Sequence, residues 1–316
     1  MFLEHLSMKV LITGIHGFVG SNLVVSLKEK HEIFGLDIVS PSREGVVHTY
    51  RWDELDSIPQ PDVIIHLAGK AHDTRSKQDE EIYFQVNTDL TKKIYDWFLK
   101  GNASQFIFFS SVKAAAESVI GDFLTEEVKP RPVGPYGESK LAAEKYLLSN
   151  LPPLSSGKKV IILRPSMIHG PGNKGNLNLL YKVVSKGMPW PLGAFENRRS
   201  FTSVDNLKFL IEKIILKRPD NGVYNVADDE SLSTNELILI ISEASGMRNR
   251  IWKINKMFIK CFAYAGSLLN LPLNNDSLRK LTENYVVSNM KLKKSLDIQS
   301  LPLTAEEGIR RTIKSF

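Results

Sequence analysis

The stretch Lys9–Leu23, KVLITGIHGFVGSNL, decides the fold of this chain. A β-branched, apolar run comes first, three glycines follow in the spacing G-x-x-G-x-x-G, and a segment with helical apolar spacing comes last. A strand that turns through glycines into a helix points free backbone N–H groups at the helix N-terminus, where a pyrophosphate binds without a positive side chain. We therefore expect dinucleotide contacts from the loop residues Gly14, His16, Gly17, Phe18, Val19 and Gly20.

Strand-like runs and helix-length segments alternate downstream of this loop as far as Pro165. Short runs rich in β-branched and aromatic residues lie at 9–14, 32–39, 62–69, 105–111 and 159–165. Such runs are typical of parallel strands that are buried on both faces. The alternation predicts an α/β protein with a Rossmann-type doubly wound parallel sheet.

The pattern changes after Pro165, where loops rich in Gly, Asn and Pro bracket a helix and the chain end becomes mainly helical. One further strand-like run follows at 222–228. We predict a dinucleotide-binding domain over 8–165, to which 201–228 returns. A smaller, mainly helical substrate domain would comprise 166–200 and 229–316, with a ligand cleft between the two domains.

Composition places the chain among ordinary globular proteins. It has 316 residues, 42% hydrophobic and 24% charged, with a formal net charge of +6. The charge forms no long Lys/Arg run, so we expect no nucleic-acid partner. The single cysteine, Cys261, excludes an internal disulfide and a cysteine-rich metal site. We expect no metal either from His66 and His72, for which packing and loop roles are the better interpretation.

The chain start and its most apolar segment bear on location. Residues 1–7 contain Glu4 and lack the apolar core of a signal peptide, so we expect a cytoplasmic protein that starts at Met1 or Met8. The segment 257–273, MFIKCFAYAGSLLNLPL, is short for a membrane span and carries a lysine and a proline. We expect no integral membrane segment, and a buried or interface helix rather than one on a membrane surface.

Asp37 lies near the end of the second strand-like run, where a carboxylate can accept hydrogen bonds from both hydroxyls of an adenosine ribose. A 2′-phosphate there would meet like charge, so NAD is favoured over NADP, although Arg43 lies close in sequence. Asp37 could instead cap the following loop. Asp53 is a candidate for contact with the adenine.

The stretch GPYGESK, residues 134–140, places a tyrosine and a lysine four positions apart. If a helix begins here, Tyr136 and Lys140 lie on one face about one turn apart. An ammonium group beside a phenol favours the phenolate, which is a chemical proposal for a proton-transferring group.

The glycine loop, HLAG at 66–69, Ser110-Ser111 and the Tyr-x-x-x-Lys pair occur in this order. Together they resemble the extended short-chain dehydrogenase/reductase family, in its NAD-dependent nucleotide-sugar epimerase/dehydratase branch. The resemblance implies that Tyr136 is the acid/base, that Lys140 stabilises the phenolate and positions the cofactor, and that Ser111 binds the reacting oxygen. For Ser110 we favour simple capping of the strand end.

The resemblance implies further binding residues. For the cofactor these are Leu67, Ala68, Gly69, Asn87 and Pro165, in addition to Tyr136 and Lys140. For the nucleotide-sugar substrate they are Ser111, Lys113, Asn176, Arg199 and Val286. Arg198 replaces Arg199 if the register slips by one residue, Tyr285 is the alternative to Val286, and Arg279 only weakly matches the family's second arginine.

The family motifs that are present in the sequence, and one that is missing, indicate which reaction to expect. The family's dehydratases carry an acidic pair after the catalytic serine or threonine, whereas Val112 and Lys113 follow Ser111 here. SSVK resembles a subgroup of bacterial polysaccharide-pathway enzymes. We predict a 4-epimerase of UDP-sugars, N-acetylated sugars included. The alternative is an NAD(P)H-dependent reductase of a UDP-4-keto-6-deoxy sugar.

Two other classes are weighed against this prediction. A non-catalytic dinucleotide sensor would typically lack the tyrosine or the lysine, and both are present. A reductase of uncharged ketones or steroids would need neither Arg199 nor Asn176. The resemblance also implies a homodimer, the usual assembly of the family.

Overall fold

A computed structural model describes residues 7–71, 77–173, 175–268 and 274–316, without the side chains of 77–79, 176, 276 and 280. The described strands are β1 (Lys9–Thr13), β2 (Glu32–Asp37), β3 (His48–Arg51), β4 (Val63–His66), β5 (Gln105–Phe109), β6 (Lys159–Pro165), β7 (Met167–His169), β8 (Arg199–Ser203), β9 (Gly222–Val226) and β10 (Ser231–Leu232). The described helices are α1 (Phe18–Leu27), α2 (Lys77–Phe84), α3 (Leu90–Lys100), α4 (Pro135–Ser149), α5 (Asn176–Ser185), α6 (Val204–Lys217), α7 (Thr234–Ala244), α8 (Lys256–Leu268), α9 (Asn275–Thr282), α10 (Met290–Leu296) and α11 (Ala305–Ile313). A π-helical turn at Gln85–Asp89 joins α2 to α3, and a short 3-10 turn follows β5 at Val112–Ala114.

The large sheet is parallel, with the strand order β3-β2-β1-β4-β5-β6-β9. The order reverses between β1 and β4, and the glycine loop leaves β1 at this point. Ligands of doubly wound sheets bind beyond the carboxyl ends of the strands at such a reversal. The predicted fold class is confirmed.

Two hydrophobic layers hold the sheet between helices. Val10 and Ile12 of β1 pack into the layer that contains α1 and α6, whereas Leu11 between them packs into the layer that contains α3 and α4. Successive residues of a strand point to opposite faces, so a continuous apolar run fills both layers at once. This packing fixes the strand ends that carry the site.

The edge strand β3 was not predicted. His48–Arg51 is short and largely polar, and Thr49 is its buried residue. It pairs with β2 along one side only, so it needs little apolar surface. A periodicity search for buried strands does not detect such a segment.

A three-stranded sheet, in the order β10-β8-β7, accompanies the large one. The segment 201–228, predicted to return to the first domain, is therefore shared between the two sheets. Strand β8 lies in the small sheet, and β9 is the edge strand of the large one. The domain boundaries themselves stay a prediction.

The apolar segment expected to form a buried or interface helix forms α8 in its described part, and only one face of this helix is buried. Ile259 and Ala263 are buried, but Phe258 and Phe262 are exposed. No helix within the described ranges is long and apolar enough to cross a membrane.

Candidate active site

Tyr136 stands in the first turn of α4, and the residues around it explain why. Gly134 has φ +82°, which glycine adopts without strain, and Pro135 occupies the first helical position. A Cβ on Gly137 would lie 2.5 Å from the carbonyl oxygen of Lys113. The two glycines thus let the helix start abruptly against the turn that follows β5, and Tyr136 lines the same cavity as Ser111.

The π-helical turn between α2 and α3 anchors the same helix start. The side-chain nitrogen of Asn87 donates to the Ser139 hydroxyl at 3.0 Å and to the Lys70 carbonyl at 3.1 Å. Its Oδ1 accepts the backbone N–H of Lys70 at 2.8 Å, and Thr88 donates to the Ser139 carbonyl at 2.8 Å. Asn87, which is fully buried, therefore ties the loop after β4 to α4. π-Turns occur often at functional sites because the extra residue redirects a side chain.

Lys140 lies one turn after Tyr136 and is 5% exposed. Its Nζ donates to the carbonyl oxygen of Phe109 at 2.8 Å. Burial lowers the pKa of Lys140 to about 8, and the nearby Glu144 carboxylate opposes this shift. A Cβ on Gly69 would lie 3.0 Å from this Nζ and 2.9 Å from Oδ1 of Asn87, so a residue without a side chain is needed beside the lysine.

A buried acidic group follows one further turn along α4. Glu144 accepts hydrogen bonds from Nε of Arg164 at 2.9 Å and from the hydroxyl of Ser110. Ser110 therefore takes part in this buried hydrogen-bond network. From the sequence we expected it only to cap the end of the strand. The network lies behind Lys140 and joins α4 to the ends of β5 and β6.

A first cavity, of about 820 Å³, extends from the glycine loop to Lys140. Its walls include most of the predicted cofactor residues: Gly14, His16, Gly17, Phe18, Val19, Gly20, Leu67, Gly69, Tyr136, Lys140 and Pro165. Ser111, predicted as a catalytic and substrate-binding residue, lines the same cavity. Gly17 is the N-cap of α1 and provides no side chain to accept the N–H groups of the first turn. An uncapped N-terminus that opens into an elongated cavity fits the pyrophosphate of NAD.

Asp37 and Asp53, the acidic residues predicted to contact the adenosine part of the cofactor, differ in their positions. Oδ2 of Asp37 accepts the backbone N–H of His16 at 3.0 Å, so this carboxylate is fixed against the glycine loop. Asp53 is exposed and faces Arg51 at 3.8 Å, away from the cavity wall. Arg43 binds the hydroxyl of Ser21 at 2.7 Å and is thereby held on α1. The adenine contact of Asp53 stays a prediction that its position does not support.

The turn after β1 closely approaches the backbone of Ala68, which was predicted to form the floor of the site and does not itself line the cavity wall. A Cβ on Gly14 would lie 2.9 Å from the backbone nitrogen of Ala68, so β1 and β4 approach closely here. Thr13 supports this contact, since its hydroxyl accepts the backbone N–H of Ala68 at 3.1 Å.

The second cavity, about 600 Å³, lies on the other side of Tyr136. Polar and charged side chains line one part of it: Lys113, Glu117, Arg199, Thr234 and Ser277. Apolar side chains line the rest: Val133, Met167, Leu177, Leu179, Leu180, Val183, Trp190, Phe201, Leu237 and Leu281. A mostly apolar cleft with a few polar groups is the usual form of a small-molecule site.

The predicted substrate residues separate into three groups. Arg199 and Lys113 line the second cavity, whereas Arg198 turns away and donates to Ser231 through Nε at 3.0 Å and Nη2 at 2.9 Å. Val286 does not reach either cavity wall; its carbonyl oxygen accepts the N–H of Leu124 at 2.8 Å. The side chain of Asn176 lies outside the described residues.

Arg199 is largely enclosed. Burial lowers its pKa, and Tyr285, Glu283 and Glu117 partly oppose this shift. Tyr285, the alternative considered to Val286, donates to the Ala116 carbonyl at 2.7 Å, and Nζ of Lys113 lies 4.9 Å from its ring centroid. Lys113 also forms an ion pair with Glu117 at 2.9 Å. One end of the cavity is thus rich in charge.

His66 is fully buried between two threonines. Its Nδ1 lies 2.6 Å from the hydroxyl of Thr13 and its Nε2 lies 2.9 Å from that of Thr91. Burial lowers the pKa of His66 to about 3, and the positive Lys140 adds to the effect. Among the described residues no group of three potential ligands forms a metal site; His72 lies outside them.

A doubly wound parallel sheet with a glycine loop at its reversal point and a Tyr-x-x-x-Lys helix beside it defines the class of dinucleotide-binding enzymes. The chain belongs to the NAD-dependent epimerase/dehydratase family, whose family model matches residues 10–227. It is therefore an enzyme of the isomerase or oxidoreductase class that uses NAD, as the sequence motifs predicted.

Relatives agree with this assignment along most of the chain. A UDP-glucose 4-epimerase of Vibrio cholerae is 31% identical over 321 residues, which cover 97% of this chain and 95% of that protein. An N-acetyl-α-D-glucosaminyl-diphospho-ditrans,octacis-undecaprenol 4-epimerase of Escherichia coli O157:H7 is 27% identical, with 96% and 94% covered. The solved structure of a Thermus thermophilus UDP-glucose 4-epimerase in complex with NAD shares the fold, with a TM-score of 0.74, 24% identity and 98% of each chain covered.

Several residues of the site were not predicted. Two of them gave a signal in the sequence. Glu144 is a charged residue four positions after Lys140, and Arg164 is a charged residue near the end of an apolar strand. A charged residue at either position is unusual unless it is paired. Glu117, Trp190 and Thr234 gave no comparable signal, because they reach the cavity from separate loops and helices.

Proposed function

We propose that this chain is an NAD-dependent 4-epimerase of a UDP-hexose, N-acetylated hexoses included. The observation that carries the proposal is the position of Tyr136, which lines both the cavity of the glycine loop and the cavity of Arg199. A group that exchanges a proton with a substrate hydroxyl while the cofactor acts on the same carbon must stand at such a junction.

Tyr136 and Ser111 would handle the oxygen at C4. The Ser111 hydroxyl accepts the backbone N–H of Lys113 at 3.2 Å, which fixes its position, and it can donate its own hydrogen to a substrate oxygen. Tyr136 would take the proton of the C4 hydroxyl and later return it. Both residues line the wall of the first cavity, so they can act on one oxygen.

Lys140 would assist this transfer electrostatically. NAD, when bound, supplies the reversible oxidation and reduction of the sugar carbon. Nζ of Lys140, one turn from the phenol, would favour its ionised form. The hydrogen bond from Nζ to the Phe109 carbonyl keeps the lysine at the base of the site.

The composition of the second cavity favours epimerisation. An epimerase must let the oxidised hexose present its other face without releasing the nucleotide. Arg199 at the charged end would bind the diphosphate, since a guanidinium forms paired hydrogen bonds with phosphate oxygens. The apolar remainder of the wall offers the hexose few directional contacts, so the ring can turn about a fixed diphosphate.

The names of two relatives support reaction at C4. One acts on UDP-glucose, and the other on an N-acetylglucosaminyl diphosphate linked to undecaprenol. Both substrates are hexoses attached through a diphosphate. A reductase of a UDP-4-keto-6-deoxy sugar would use the same tyrosine, serine and lysine, and it is the competing candidate.

The deciding experiment incubates the purified protein, in parallel with and without added NAD(P)H, with UDP-glucose, UDP-N-acetylglucosamine, N-acetylglucosaminyl diphospho-undecaprenol and a UDP-4-keto-6-deoxy sugar. Products are separated and identified by NMR. Interconversion of 4-epimers without net NAD(P)H consumption supports the proposal. Consumption of one NAD(P)H per keto sugar, with no epimer formed from the other substrates, overturns it in favour of a reductase.

A matched pair of variants tests the role of Tyr136. Tyr136→Phe removes the proposed acid/base and should lower kcat by about 10²- to 10⁴-fold. Tyr146→Phe removes a hydroxyl from the same helix, where it donates to Asp96 at 2.7 Å on the far side from the cavities, and should leave kcat near that of the wild type. Equal activity of Tyr136→Phe and wild type would contradict the assignment.

A further inference from the structure

Helix α8 has two apolar faces. Ile259, Ala263 and Gly266 are buried against the rest of the protein. The opposite face carries Met257, Phe258, Phe262, Tyr264 and Leu268, which are 75%, 65%, 68%, 61% and 69% exposed. At 3.6 residues per turn these side chains form one continuous surface, which we call the α8 outer face. Scattered exposed apolar residues are ordinary, but a contiguous aromatic and aliphatic face marks an interaction site.

The sequence segment that contains α8 carries charge of one sign. The segment 247–268 contains Arg248, Arg250, Lys253, Lys256 and Lys260, and no aspartate or glutamate. Lys256 and Lys260 lie one turn apart along one edge of the α8 outer face. Trp252, four residues before the first residue of the helix, is 55% exposed. An apolar helical face with a basic edge and an aromatic residue at its end is the pattern of helices that lie in the interface of an anionic bilayer.

The place of α8 in the fold connects this face to the substrate cavity. Helix α9 packs against α8, and Leu278, Arg279 and Thr282 line a shallow groove together with Met257 and Tyr264. Ser277 and Leu281 of α9 line the cavity of Tyr136 and Arg199 instead. A single short helix therefore separates the α8 outer face from the proposed substrate site.

We propose that the α8 outer face docks the enzyme on the surface of a membrane that contains anionic lipids. The apolar side chains would enter the boundary between headgroups and acyl chains, and the basic residues would contact lipid phosphates. The helix lies parallel to the bilayer in this arrangement and does not span it. The substrate cavity would then be held close to the membrane. The proposal is independent of which hexose the enzyme accepts.

The single cysteine of the chain allows a direct measurement. Cys261 lies on α8 between Phe258 and Phe262 in sequence and is exposed, so a thiol-reactive, polarity-sensitive fluorophore labels one site without mutagenesis. We expect a blue shift and an increase in emission when the labelled protein meets phosphatidylglycerol-rich vesicles. We expect much smaller changes with phosphatidylcholine vesicles and at high salt, because salt screens the basic residues.

Co-sedimentation with the same vesicles tests the residues, using unlabelled full-length protein. Phe258→Glu/Phe262→Glu should reduce partitioning into anionic vesicles by about tenfold or more, because two carboxylates replace the apolar contact. Lys256→Glu/Lys260→Glu should remove the preference for anionic over neutral lipid. Ile120→Glu/Leu154→Glu changes two other exposed apolar residues, 93% and 88% exposed, and should leave partitioning unchanged.

The competing occupant is a second copy of the chain. In that case sedimentation equilibrium would show a dimer that Phe258→Glu/Phe262→Glu dissociates, and the Cys261 label would respond to protein concentration without vesicles. That result, with no vesicle binding by the wild type, overturns the proposal. Equal partitioning of the wild type and Phe258→Glu/Phe262→Glu overturns it as well.

Discussion

Arg164 and Glu144 form a two-point ion pair behind the proposed active site. Nε of Arg164 lies 2.9 Å from Oε1 of Glu144, and Nη2 lies 2.5 Å from Oε2, with side chains 4% and 1% exposed. The remaining nitrogen, Nη1, is buried without a hydrogen-bond partner among the described residues. Such a pair costs desolvation energy that its own attraction largely offsets, so its main effect is to fix positions. Here it fixes α4, which carries Tyr136 and Lys140, to β6.

Removal of one partner should therefore destabilise the protein strongly. Glu144→Leu leaves a buried, uncompensated guanidinium, and Arg164→Met leaves a buried carboxylate. We expect each to lower the free energy of unfolding by about 3–5 kcal/mol, measured by urea denaturation. The double variant restores neutrality and should lie closer to the wild type than either single variant.

An exposed ion pair provides the control for this comparison of single and double variants. Glu306 binds Arg310 at 2.8 Å on the surface of α11, and Glu306→Gln should change the urea midpoint little. Additive losses in the buried double variant would show that Glu144 and Arg164 act separately, contrary to the geometry.

The alkaline limit of activity should follow Lys140. Burial lowers the pKa of this lysine to about 8, so the ammonium is lost at lower pH than that of an ordinary lysine. Below about pH 8 the charge that favours the phenolate is present, and above it kcat/KM should fall by about tenfold per pH unit. The measurement is kcat/KM for the accepted sugar nucleotide between pH 6 and about pH 10.

Lys140→Met separates this effect from other titrations. The kcat/KM of this variant should be lower than that of the wild type at all pH values. It should not fall above pH 8, because no amine titrates at that position. Persistence of the same alkaline limb in Lys140→Met would assign the limb to another group.

Acid should destabilise the fold through His66. The pKa is about 3 in the folded state and about 6.5 in the unfolded state, so the unfolded chain binds the proton more readily between these values. The contribution of His66 to stability is complete above about pH 6.5 and is lost as the pH falls towards 3, at up to about 1.4 kcal/mol per pH unit. His66→Gln should flatten the dependence of the unfolding free energy on pH in this window. His48→Gln, on the exposed edge strand β3, should not.

The sequence allowed prediction of the fold because the central strands are buried on both faces. Their residues form continuous apolar runs, and the glycine loop marks which strand comes first at the reversal point. The edge strand β3 and the small sheet of β7, β8 and β10 were missed, since short strands with one partner or little burial leave no periodic signal. Whether α8 is buried or lies in an interface stayed open for a related reason: periodicity shows that a face is apolar, not what covers it.

Sequence spacing grouped candidate site residues where they follow one another along the chain. Tyr136 and Lys140 share one helix, and the glycine loop is continuous, so spacing alone placed them. The second cavity is built from α4, α5, α7, α9 and the loops between them, which no local pattern connects. Val286 was placed by register alone, and a shift of one residue along an extended segment turns a side chain to the opposite side.

Arg198 and Arg199 provide the sharpest test of the substrate side, because they are adjacent in sequence and face different ways. Arg199 lines the cavity, whereas Arg198 binds Ser231 outside it. Arg199→Gln should raise KM for the nucleotide sugar by about 10- to 100-fold, since a charge-assisted contact with phosphate contributes about 1.5–3 kcal/mol. Arg198→Gln should change KM little. Steady-state kinetics with the sugar nucleotide that the enzyme accepts measures both, and a larger effect of Arg198→Gln would place the diphosphate outside the cavity. Arg199→Lys should recover only part of the loss, because an ammonium keeps the charge but not the paired hydrogen bonds of the guanidinium.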